Sequence, residues 1–133
     1  MPTTSTSSAP VIARLWHGRT RPEDAERYAE YLEQTGVPEY RATRGNLGVK
    51  ILRRVTASEA EFLVLTFWDS FDAVRRFAGD DVSRAVYYPE DARFLLELEQ
   101  GVTHFVVTTD EQAGQGRATV PKSLGDYALA HLE

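Results

Sequence analysis

The chain of 133 residues contains no cysteine. That absence excludes disulfides, thiolate nucleophiles and cysteine-bound zinc or iron–sulfur centres. No apolar run approaches the roughly 18 residues that a membrane-crossing helix requires, so no membrane partner is expected. The opening "MPTTSTSSAP" has neither the basic start nor the apolar stretch of a secretory signal, and it reads as the leader of a cytoplasmic protein. Basic charge is in deficit. Fifteen Lys and Arg against 20 Asp and Glu leave a net charge of -5, the wrong sign for a surface that tracks phosphates, so nucleic acid is not an expected partner. Neither G-x-G-x-x-G nor a P-loop occurs, which removes a nucleotide-binding fingerprint. No two of the three histidines have metal-ligand spacing, so no metal site is expected.

What remains is the composition of an ordinary soluble domain, 42% hydrophobic and 26% charged. Three stretches divide it: residues 1–10 as a disordered leader, 11–109 as one patterned domain, and 110–133 as a partly flexible extension. The piece "LGDYALAHL" in that extension has the pattern of a docked helical turn, and the closing Leu132-Glu133 has the sequence of a tag junction.

The patterned part begins with "VIARLWHG", apolar and β-leaning, a first strand. In "TRPEDAERYAEYLEQTG", Ala25, Tyr28, Ala29 and Leu32 recur on one helical face. Thr20 and Glu23 have capping-box spacing, Pro22 suits the first turn, and Gly36 is the expected left-handed stop. "NLGVKILRRV" and "EFLVLTFW" read as a hairpin around "TASEA". The second of these strands is apolar on both faces, as expected where both faces of a sheet are covered. "DSFDAVRRFAG" is a second helix with Phe71, Val74, Phe77 and Ala78 as its stripe and Gly79 as its stop. "DDVSRAVYYPEDARFLLELE" reads as helical turns broken at Pro89, and "GVTHFVVTT" as a last strand. The tetrapeptide Pro-Glu-Asp-Ala occurs twice, at Pro22 and at Pro89. Its acids read as punctuation of the backbone, and the interest lies in Tyr87 and Tyr88 ahead of the second copy.

The order β-α-β-β-α-β is that of the ferredoxin-like α+β fold, a four-stranded antiparallel sheet with helices on one face. The second face still carries large apolar residues, and a homodimer packed sheet to sheet is the expected cover.

The stretch "FLVLTFWDSFDAVRRFAGDDVSRAVYYPE", with a strand ending in Trp68-Asp69-Ser70 before a short helix, resembles the antibiotic biosynthesis monooxygenase family of dimeric α+β barrels. The likeness covers roughly residues 10–109. It implies a small enzyme of secondary metabolism that oxidises an aromatic or polyketide-like molecule, or rearranges it through an enolate, with no bound redox cofactor. Trp68 matches the tryptophan that lines the cavity of the anthrone-oxidising members. Their asparagine four residues before it and tyrosine six after it are replaced here by Val64 and Val74. Haem-degrading members place a second tryptophan nine residues after the first and an iron-binding histidine nineteen after. Here these are Phe77, which keeps the bulk, and Tyr87, whose tyrosinate would be able to bind ferric haem. A haem-binding member and a non-catalytic small-molecule-binding dimer are therefore the two alternatives.

Within this frame the candidate residues take roles by their chemistry. His104, with Val102 and Val106 on its strand face, has the near-neutral pKa of a general base. Tyr87 or Tyr88 would donate a proton or stabilise an oxyanion. Trp68 with Phe77 forms an aromatic wall, to which Trp16 is a lesser candidate. Arg44 and Asn46, before the second strand, would meet a carboxylate or ketone oxygen at the cavity mouth. His17 borders "HGRTR" and reads as solvated, and the cluster Arg41, Arg44, Lys50, Arg53 and Arg54 reads as a face paired with the many acids.

Overall fold

The structure, a computed structural model, describes residues 9–113. The extension piece "LGDYALAHL", Leu132-Glu133 and most of the leader lie outside the described residues. Strand β1 (Ile12–Thr20) is followed by a short 3-10 turn (Pro22–Asp24), helix α1 (Ala25–Gln34), helix α2 (Gly36–Ala42), the hairpin of β2 (Asn46–Val55) and β3 (Ala60–Trp68), helix α3 (Phe71–Ala78), the short helix α4 (Asp91–Phe94) and β4 (Thr103–Val106). The four strands form one sheet in the order β2-β3-β1-β4, every neighbour antiparallel. This is the ferredoxin-like arrangement expected from the element order.

Alternation along the two central strands assigns the faces. On β1, Ile12, Arg14, Trp16 and Thr20 are buried, and on β3 so are Ala60, Phe62, Val64, Thr66 and Trp68. Register pairs Trp16 with Val64 and Ile12 with Trp68, so both sets lie beneath the helices. Phe62, Val64 and Trp68 are each excluded from solvent almost completely, a burial that stabilises by about 1.5–3 kcal/mol per side chain. The opposite face carries Leu15, Leu63, Leu65 and Phe67 with the exposed Leu52 and Phe105.

Helix α1 buries Ala25, Tyr28 and Leu32, the stripe expected from the spacing. Its entry differs from the expected capping box. Thr20 is still paired with Ala60 in the sheet, so its backbone is extended and its hydroxyl donates to the Arg21 carbonyl at 2.8 Å. Asp24 takes over the turn: it is buried and held by Arg21 at 2.9 Å and Arg27 at 2.5 Å. Gly36 is not a left-handed stop either. Positive φ occurs only at Gly45, Gly48 and Gly79 among the described residues. Gly36 opens α2 instead, and a Cβ there would lie 3.1 Å from the Tyr40 hydroxyl, so the glycine serves close packing. Pro38 then falls in the first turn of α2, where a missing N–H is tolerated.

Helix α3 follows its expected limits. Ser70 caps it by accepting from the Ala73 N–H at 3.1 Å, and Gly79 at φ 90° closes it. Its buried residues are Ala73 and Val74, whereas Phe71 is 39% exposed, so the apolar stripe is rotated from the expected one. Ala73 packs against Gly45 (φ 97°), where any side chain would collide with it.

Residues 80–88 form no helix, contrary to the expected turns. Their backbone groups are engaged with residues 100–102 instead: Ala85 N–H to the Gln100 carbonyl at 2.8 Å and Val102 N–H to the Ser83 carbonyl at 2.9 Å. In the second Pro-Glu-Asp-Ala copy Asp91 is buried and accepts from the Tyr88 N–H at 2.6 Å. The aspartate is thus the acid that is buried in both copies. Among the described residues, no helix is long and apolar enough to cross a membrane.

Candidate functional site

Register on the edge strand places Arg14 of β1 opposite His104 of β4, on the helix-covered face. Arg14 is only 3% exposed. Its Nη1 donates to the Val82 carbonyl at 2.6 Å and lies 3.3 Å from His104 Nε2, and its Nη2 donates to the Arg84 carbonyl at 2.9 Å. A guanidinium only donates, so Nε2 of His104 must be the accepting nitrogen and the neutral ring carries its proton on Nδ1. Burial first, and the Arg14 charge second, hold the His104 pKa below the usual imidazole range. His104 is therefore a neutral imidazole at neutral pH.

Aromatic rings close around this pair. The Arg14 guanidinium lies 5.7 Å from the centre of the Phe77 ring, a cation–π distance. Phe77 in turn stacks on Trp68 (5.8 Å, 30°) and tilts against Tyr40 at 4.8 Å. Phe71 meets the His104 ring edge-on at 5.3 Å. Trp68 is wholly buried and its indole N–H is spent on the Thr66 hydroxyl at 2.9 Å, so it backs the half-buried Phe77. Burial pushes the Tyr40 hydroxyl up to about 12 against the pull of the Arg14 charge, which keeps it a neutral phenol.

Of the residues expected from sequence, His104, Phe77 and Trp68 are thus brought together. The others stand apart. Tyr87 packs edge-on against Trp16 (6.3 Å) and its hydroxyl donates to the Glu99 carbonyl. Tyr88 donates to the Glu39 carboxylate. Burial raises the pKa of both phenols. Trp16 belongs to a second core cluster with Tyr28, and its Nε1 is buried with no acceptor among the described residues. Asn46 spends its amide on the Phe67 carbonyl at 3.2 Å, steadying the bulge at the start of β2. Arg44 is exposed, and its carbonyl accepts from Arg76 at 2.8 Å. An open hollow of about 600 Å³ lies outside the 81–87 segment, lined by Asp81, Arg84, Tyr87 and Gln100.

Two residues of the site, Arg14 and Tyr40, were not singled out from sequence. Alternation in "VIARLWHG" held the signal for the first: Arg14 shares its face with Ile12 and Trp16, an unusual place for a cation. His17 also differs from expectation. It lies within β1 on the other sheet face, with Nε2 2.8 Å from Glu61 and Nδ1 2.7 Å from Glu99. Among the described residues no three His, Asp or Glu side chains are grouped to hold a metal ion.

No family model and no curated protein matches the chain. Solved structures do. A protein of unknown function from Nitrosomonas europaea superposes with TM-score 0.59 at 13% identity, covering 80% of this chain and 98% of that one. A provisionally assigned antibiotic biosynthesis monooxygenase from Bacillus cereus follows at TM-score 0.56 and 12% identity, covering 78% and 99%. A haem-degrading protein from Mycobacterium tuberculosis aligns at 20% identity over 80% and 100%, but with TM-score 0.43, too distant to bear on function. The chain is a ferredoxin-like α+β protein, with a monooxygenase-like protein among the structures it resembles. At these identities the shared property is the fold.

Proposed function

We propose that the chain is a small enzyme of secondary metabolism that oxidises an aromatic or polyketide-like molecule with dioxygen and no bound redox cofactor, or rearranges it through an enolate. The observation that carries this reading is the neutral His104 beside the buried Arg14 charge, next to the ring of Phe77. Once substrate binding draws the Arg14 N–H off Nε2, His104 would take a proton there from an acidic C–H or phenolic O–H of the substrate. Arg14 would hold the resulting anion, and Tyr40 would donate a hydrogen bond to it. That electron-rich anion then reduces dioxygen. A C–O bond forms, and the hydroperoxide loses water to leave a carbonyl, so one oxygen atom stays in the product and the other departs as water. Without dioxygen in reach, the same anion reprotonates at another carbon, which is isomerisation.

The haem alternative has less support. Tyr87 is committed to the Glu99 carbonyl, and an iron cation at His104 Nε2 would meet the Arg14 charge beside it. The sheet-to-sheet homodimer stays within the proposal. It is supported by the uncovered apolar face, where Leu52 and Phe105 are 45% and 52% exposed. Oxygen uptake with anthrones, quinols and naphthols tests the enzyme reading. Turnover that His104→Ala abolishes is expected; tight binding without conversion across the panel would leave a non-catalytic binder.

A further inference from the structure

Among the described residues the Arg14 guanidinium is a buried charge without an opposite charge, and every partner it has there is neutral: two carbonyls, an imidazole and the face of Phe77. The chain holds 20 acidic residues, yet among the described residues none forms an ion pair with Arg14. Buried cations are ordinarily paired, because desolvating one without compensation costs several kcal/mol. Arg14 also has donors to spare. A guanidinium carries five N–H groups, and only the Nη1 and Nη2 nitrogens make the contacts above, so Nε–H is unused by them. The adjoining groups are not sealed away, since His104 and Phe77 are half-buried and Val106 is 53% exposed.

We propose that Arg14 is an anion-recognition residue, and that the ligand of this site is an aromatic acid whose carboxylate is held by the guanidinium while its ring lies against Phe77. The inference rests on the location of the site given above and narrows its ligand class. A clamp that merely ties residues 82–84 to the sheet would need two carbonyl contacts and no ligand. An acid-binding site adds a demand that such a clamp does not: the ligand must be charged. Charge-assisted contact with a desolvated guanidinium discriminates an acid from its neutral amide by about ten-fold or more.

The test compares 1-hydroxy-2-naphthoate with 1-hydroxy-2-naphthamide on the full chain at pH 7, followed by quenching of tryptophan fluorescence. The acid is expected to bind about ten-fold tighter or better. In parallel, NMR titration of the histidine rings locates the site. Bound acid should raise the apparent pKa of His104, through the new negative charge beside it, and leave His17 unmoved, while the amide should move neither. Arg14→Lys, which keeps the charge and loses the fork, should retain part of the preference, and Arg14→Gln should abolish it. Equal binding of acid and amide, no binding of either, or an acid preference without the His104 shift overturns the proposal; the unmodified protein decides each of these even where a variant does not fold. Oxygen uptake is read separately. Acid preference without turnover removes the oxygenase reading alone, and turnover of neutral substrates without acid preference removes this one alone.

Discussion

The hydroxyl of Tyr28 donates to the carboxylate of Asp91 at 2.8 Å, and both residues are buried, 1% and 4% exposed. This bond joins α1 to the first turn of α4 and fixes the segment that leads into the last strand. Removing the hydroxyl leaves a buried acceptor short of a partner, so Tyr28→Phe should lower stability by about 1–3 kcal/mol in urea denaturation. Asp91 also carries a pH signature. Burial raises its pKa, against the hydrogen bonds from the Tyr88 N–H and the Tyr28 hydroxyl. The folded state therefore binds the proton more tightly than the unfolded one, and the contribution of Asp91 to stability falls as pH rises from the ordinary aspartate value of 3.8 through the higher folded value. Tyr28→Phe should extend that fall to higher pH.

His17 gives the same direction of titration from a basic group. Burial opposes its charge, but the hydrogen bonds to Glu61 and Glu99 outweigh that and raise its pKa above 6.5. Only an imidazolium can donate from both nitrogens, which fits a carboxylate on each. The stabilisation should be complete below pH 6.5 and disappear as pH rises through the folded pKa. Thermal melts across pH 6 to 9 should show the loss in the parent protein and a flatter profile in His17→Gln.

A pH-rate profile reports the base. If His104 must be neutral to act, kcat/KM should rise along a limb centred below the ordinary imidazole value of 6.5, since burial and Arg14 both depress its pKa. His104→Gln should remove the limb along with the activity. A limb above 6.5 would point to another group.

Trp68 and Phe77 should separate stability from binding although they stack on one another. Trp68 is fully buried, so Trp68→Ala should cost about 3–5 kcal/mol in denaturant titration. Phe77 is half-buried, and Phe77→Ala should cost less stability while weakening the binding of aromatic ligands several-fold, read by calorimetry on the folded variant.

The open sheet face makes a further prediction. Leu65 pairs with Leu15 near its middle. Sedimentation velocity should find the parent chain dimeric and Leu65→Arg monomeric, since a buried unpaired charge would oppose sheet-to-sheet contact. A monomeric parent would remove the dimer from the proposal.

The element order was legible in the sequence because β1, α1, β2, β3 and α3 each carry their own periodicity. Which face of β3 would meet the helices was not, since both are apolar and only the pairing with Trp16 and Ile12 assigns Val64 and Trp68 to the core. Residues 80–88 were misread because their hydrogen bonds run to distant partners and leave no local period. The site was half legible. His104 stood out by its chemistry, but its partner lies 90 residues away, and only the β1–β4 register brings Arg14 opposite it. Tyr87 and Tyr88 looked like site residues beside a proline, whereas Glu99 and Glu39 occupy their hydroxyls. Gly36 signalled a helix end by residue type, and the need it meets is room for Tyr40.

The indole of Trp16 lies over Gly18, where any side chain would collide with its six-membered ring. Positions 16 and 18 are therefore bound to vary together. In a library randomised at both, folded clones should keep glycine wherever the tryptophan survives, and accept alanine or serine at 18 only with a smaller ring or an aliphatic group at 16.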